Sequence, residues 1–115
     1  MKERTFDFEE VMGRVQNDKE LLLELFDIFI EDYSDKRSNL DELVEQHDLE
    51  MIRDVAHSLK GAAGNISAKA MHVTCADIES LAASGDLEAT KKVIPQLDTQ
   101  FEEFKDEIEE VKKKL

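Results

Sequence analysis

Leu22, Phe26, Phe29, Tyr33, Lys36, Leu40 and Val44 follow one another at three- and four-residue intervals. A chain that keeps this interval so long is committed to a long amphipathic helix. The spacing predicts that this helix runs to about Gln46. Asn17, with Glu20 three residues on, supplies the start signal of a capping box. Asp7 and Glu10 show the same pattern further upstream, opening a short N-terminal helix that Gly13 is placed to end, a lid on the other helices.

Three more helical segments come after. Asp48 is placed to cap a third helix, in which Ile52, Val55, Ala56, Leu59, Ala63 and Ile66 share one stripe at about 100° per residue. Ser67 is expected to cap a fourth, carrying Met71, Cys75, Ile78 and Ala82 and closed by Gly85. Asp86 begins the last segment, where Leu97, Phe101, Phe104, Ile108, Val111 and Leu115 repeat at helical spacing. Pro95 interrupts it, so a break is expected near Val93 and Ile94.

Only four Gly and one Pro occur in 115 residues, which leaves little turn chemistry for a sheet. Four amphipathic helices with short connections cannot each bury a face alone. The expected fold is therefore all-α: one domain spanning residues 1–115, an antiparallel up-and-down four-helix bundle with a short extra N-terminal helix.

Fifteen Lys and Arg against 28 Asp and Glu give a formal net charge of -13. Nucleic acid and anionic membrane surfaces would repel most of such a molecule. Cys75 is the sole cysteine, on an apolar stripe where a thiol acts as a small hydrophobe, and no zinc spacing occurs. Met1 to Glu10 carry scattered charge rather than a signal-peptide core, and no window approaches a membrane span. A cytoplasmic location is expected, for a free protein or for a module of a longer, membrane-anchored one.

The third helix has an unusual outer face. Glu50, Arg53, His57, Lys60, Gly61 and Gly64 gather there, with His57 about 140° from the centre of the apolar stripe and so pointing to solvent. Each glycine costs roughly 1 kcal/mol relative to alanine in a helix interior. Together they leave a shallow region where another backbone can approach the imidazole. Neutral imidazole is a good nucleophile near neutral pH, and Lys60, at i+3, places a cation where phosphoryl oxygens need one.

The segment from Ala56 to Ala68, AHSLKGAAGNISA, resembles the signature of histidine-containing phosphotransfer domains: His, any residue, Leu, Lys, Gly, then small residues. The acidic helical flanks from about Phe8 to Phe104 fit that family's layout. Where the family usually has Gly before a small residue at the motif's end, this chain has Ser67 before Ala68, and Ser67 as a cap is expected to preserve the turn. The resemblance implies that His57 accepts a phosphoryl group from a receiver-domain aspartate and passes it to another. Lys60 would offset charge, and Gly61 would admit the receiver. Arg53, Gly64, Val11 and Met12 are the candidate partner-binding residues. The implied protein is a phosphocarrier, not a kinase, and is monomeric. It holds no cofactor or metal of its own, because Mg2+ belongs to the receiver. It is fed by a hybrid sensor kinase.

Phe8, Val11 and Met12 have two readings from sequence: they cover the end of the bundle, or they stay partly exposed as a docking surface, which the family favours. His47 and His72 lack partners at ligand spacing and are expected at the surface. Two other functions compete: a structural helical adaptor, suggested by the last helix, and a metal-binding bundle. The second would need Glu-x-x-His pairs facing inward, which the apolar stripes do not contain.

Overall fold

The computed structural model describes residues 7–115, so that part of the N-terminal expectation falling on residues 1–6 lies outside it. Five helices follow in order: α1 (Phe8–Arg14), α2 (Lys19–Glu45), α3 (Leu49–Asn65), α4 (Lys69–Ala83) and α5 (Leu87–Lys114). The last four form the bundle and α1 lies across one end. Among the described residues, no helix is long and apolar enough to cross a membrane.

The helices start as helix-capping chemistry dictates. Asp7, Asp18, Asp48 and Asp86 each accept a hydrogen bond from the amide three residues on, at 2.9 to 3.1 Å, which satisfies one of the orphan donors of a first turn. The cap of α2 is thus Asp18 rather than the expected Asn17, which sits in the left-handed region at φ 63°.

Their ends share one design. After α2, α3 and α4 a single left-handed residue reverses the chain: His47 (φ 57°), Ser67 (φ 59°) and Gly85 (φ 83°). Around each, two amides bond back in the Schellman pattern, for example Ala68 N to Ala63 O at 2.9 Å and Ser67 N to Gly64 O at 3.1 Å. The next residue then opens the following helix. Gly85 closes α4 as expected. Gly13, by contrast, lies inside α1, which ends one residue later.

Ser67 does not cap α4. In its left-handed conformation it terminates α3, and its hydroxyl turns away to Glu10. Ala68 takes the cap position, with no side-chain bond to offer. The break expected near Val93 and Ile94 is also absent: α5 is continuous through Pro95. Pro95 is exposed, while Ile94, Leu97 and Phe101 are buried on the opposite side. Core packing therefore holds the helix in phase across the missing amide.

The core follows the stripes, except that Leu43 is more deeply buried than the expected Val44 and that Leu115, last in the stripe of α5, lies past the helix end and is exposed. Aromatic rings join α2 to α5: Phe26 and Phe29 meet Phe104 edge-on at 5.9 and 5.3 Å, and Tyr33 stacks on Phe101 at 4.1 Å. Arg37 on α2 adds a two-pronged bond to Asp98 on α5, at 2.8 and 3.0 Å. Cys75 is buried, which pushes its thiol up to about 12. Lys36, although in the apolar register of α2, is only half-buried and reaches across to α3.

Candidate functional site around His57

The outer ridge of α3 is flanked by α2 and α4. His57 stands on that ridge with its side chain 70% exposed. Its Nδ1 lies 2.9 Å from Glu79 Oε1 and 3.3 Å from Oε2. A carboxylate only accepts, so Nδ1 is the protonated nitrogen and donates. Nε2 has no partner among the described residues, and in this tautomer it carries the lone pair.

Glu79 also receives Lys60, whose Nζ is 2.8 Å from Oε2. The Lys60 ammonium, and after it the His57 hydrogen bond, hold this carboxyl below the usual carboxylate range. It stays ionised at neutral pH and bridges imidazole and ammonium. Lys60 is therefore a placed cation rather than a free one.

Sequence reasoning did not single out Glu79, yet a signal for it existed. The α3–α4 hairpin folds about Ala68, and residues equally far from that point face each other. His57 and Glu79 are each 11 positions away, and Gly64 and His72 are each 4 away. Reflection across the turn pairs them.

The same reflection explains Gly64. A Cβ there would meet His72 Nδ1 at 3.3 Å and Cε1 at 3.5 Å, whereas one at Gly61 would meet nothing within 4 Å. Gly61 is the open position on the ridge. Gly64 instead makes room for His72, which is half-buried rather than at the surface and donates from Nδ1 to the Lys60 carbonyl at 2.9 Å.

Other candidates are placed apart. Arg53 is exposed one turn before His57 and lies 3.6 Å from Asp54. Val11 is fully buried, so it covers the bundle end and offers no surface to a visitor; Met12 and Phe8 are partly buried against the same core. Helix α1 is latched to the α3–α4 turn, with Asp7 N donating to Ser67 O at 2.8 Å and Glu10 accepting from Ser67 Oγ at 2.8 Å and Lys69 at 2.8 Å. That turn lies ten residues from His57, or about 15 Å along α3.

On the α2 side, Lys36 Nζ lies 2.7 Å from Ser58 Oγ and 2.9 Å from Asp32 Oδ2. This contact too was invisible in the sequence, where Lys36 read as one member of an apolar stripe.

Comparisons with known proteins agree with this architecture. The family model described as Hpt domain matches residues 24–113. Among solved structures, the histidine-containing phosphotransfer protein B (HptB) from Pseudomonas aeruginosa PAO1 superimposes with a TM-score of 0.87 at 23% sequence identity, over 99% of each chain. A search of curated proteins finds no match.

Proposed function

The chain belongs to the Hpt domain family, the histidine phosphotransfer proteins of phosphorelay signalling, and on that premise we propose that His57 is the residue that carries the phosphoryl group. One observation supports this above the others: an exposed imidazole whose Nδ1 proton is held by Glu79, leaving Nε2 free and nucleophilic. Family members are phosphocarriers that exchange with receiver domains. In this chain Nε2 would attack the phosphorus of a receiver's aspartyl phosphate. As the N–P bond forms, the P–O bond to the aspartate breaks and the carboxylate leaves. Glu79 steadies the positive charge that develops on the imidazolium, and Lys60 lies beside the phosphoryl oxygens. Return to a second receiver is the reverse reaction.

The remaining assignments rest on that chemistry. Gly61, with open space beyond it, lets the receiver's backbone approach. Met12 and Arg53 stay as candidate contacts, whereas buried Val11 does not. Mg2+ and the acidic cluster belong to the receiver, so this chain holds no cofactor. It has no kinase activity of its own, acts as a monomer, and takes its phosphoryl group from a hybrid sensor kinase.

Incubation with a phosphorylated receiver should label the protein with acid-labile phosphate, and His57→Gln should abolish that label. Equal labelling of His57→Gln would refute the assignment. Gly61→Glu should leave the bundle folded while blocking transfer, since its bulk and charge stand where the receiver approaches.

A further inference from the structure

The ridge bearing His57 is bounded by a lysine on each side. Lys60 is held from α4 by Glu79. Lys36 reaches in from α2 to Ser58, the residue after His57, and its side chain is 29% exposed, equal to that of Lys60. Long lysine side chains ordinarily extend into water, and an exposed pair with a carboxylate gains little. Lys36, besides its pair with Asp32 at 2.9 Å on its own helix, spans the gap to α3 and meets a neutral hydroxyl at 2.7 Å. A hydrogen bond to a hydroxyl is exchanged at small cost for one to a dianion, because bonds between charged groups are roughly twice as strong.

We propose that Lys36 is a second phosphoryl-binding residue, which leaves Ser58 when His57 is phosphorylated and contacts the phosphoryl oxygens opposite Lys60. This rests on His57 being the phosphorylated residue. The other charged groups around it are Asp32, which already partners Lys36; Glu79, which faces His57 and Lys60; and Arg53 with Asp54 one turn away. On a chain of net charge -13, a cation bonded to the residue next to His57 and another bonded to the carboxylate that holds His57 offset an added dianion.

The protein can be loaded with potassium phosphoramidate and the phosphohistidine resonance followed by 31P NMR as pH is varied. Removing a unit charge at hydrogen-bonding range, roughly 3 Å, at the dielectric of water, should raise the second ionisation of the phosphoryl group by about one unit. Lys36→Gln should show that rise, Lys36→Arg should restore the parent curve, and Ser58→Ala should leave it in place. Circular dichroism checks that each variant is folded, a readout that a merely structural lysine would move without moving the titration. If Lys36→Gln titrates like the parent while His57→Gln lacks the resonance, the inference fails and the His57 assignment stands. If His57→Gln retains the resonance, the assignment itself fails.

Discussion

Glu79 holds the Nδ1 proton of His57 and so leaves Nε2 as the nitrogen that would react. Its carboxyl is held below the usual carboxylate range, first by Lys60 and then by His57, so the bridge it forms is complete above that range. The bridge is released only as pH falls through the lowered value, well below the pH at which a relay works. Glu79→Ala should therefore slow phosphoryl acceptance at neutral pH about tenfold, the equivalent of one lost hydrogen bond. Glu79→Gln keeps an acceptor for Nδ1 and should lose less. Transfer rates from a phosphorylated receiver, with imidazole 15N shifts to report the tautomer, test both, and an unchanged rate in Glu79→Ala would remove Glu79 from the mechanism. The two ridge glycines should also part company. Gly61→Ala, in open space, should stabilise by up to about 1 kcal/mol from helix propensity alone. Gly64→Ala should gain little or lose stability, because its Cβ presses on His72 at 3.3 Å. Urea melts of the two variants, and of Gly64→Ala combined with His72→Ala, separate the contributions. His57, Lys60 and Gly61 were legible because they lie on one helix at fixed spacing. Glu79 and Lys36 were not, because they arrive from neighbouring helices and only the tertiary register brings them in.

At the level of the elements, three helices end on the same reversal, but only one of them uses glycine there. His47 and Ser67 hold left-handed conformations, at φ 57° and 59°, which cost an L-residue roughly 1 kcal/mol. His47→Gly should recover about that amount in a denaturant melt. Ser67→Gly should recover less, since it also gives up the hydroxyl bond to Glu10. These positions explain why helix number and buried faces could be read from periodicity while several ends could not. Asn17 and Ser67 are residue types that favour caps, and Gly13 is a type that favours ends, yet each occupies a different role. Side-chain type alone does not distinguish the residue that ends one helix from the one that starts the next. Pro95 misled for another reason, because its cost is local while the burial of Ile94, Leu97 and Phe101 on the far side of the same helix is collective. Pro95→Ala should accordingly raise stability, by up to about 3 kcal/mol. A fall in the melting temperature of that variant would mean that the proline ring packs usefully at the surface.

Across the whole molecule, 13 uncompensated negative charges are spread over a body of 43 × 29 × 19 Å. At 0.01 M salt the Debye length is about 30 Å, so nearly every charge repels every other, whereas at 0.1 M it is about 10 Å and only neighbours interact. Close pairs such as Glu10–Lys69, at 2.8 Å, survive that change better than the distant repulsion does. The melting temperature should therefore rise as sodium chloride is added from 0.01 to 0.1 M. A fall would mean that the surface pairs outweigh the net charge. Acid acts on the α1 latch. Glu10 is lowered to about 2, chiefly by the side-chain bonds from Lys69 and then Ser67. A carboxyl with a depressed value contributes stability that is fully present above its unfolded value of about 4.5 and is lost as pH falls towards 2. Glu10→Gln should thus lower stability at pH 7 and lose less than the parent between pH 4.5 and 2, so that the two melting curves converge in acid. Parallel curves across that range would show that the latch is held by the backbone bond from Asp7 to Ser67 and not by the carboxylate.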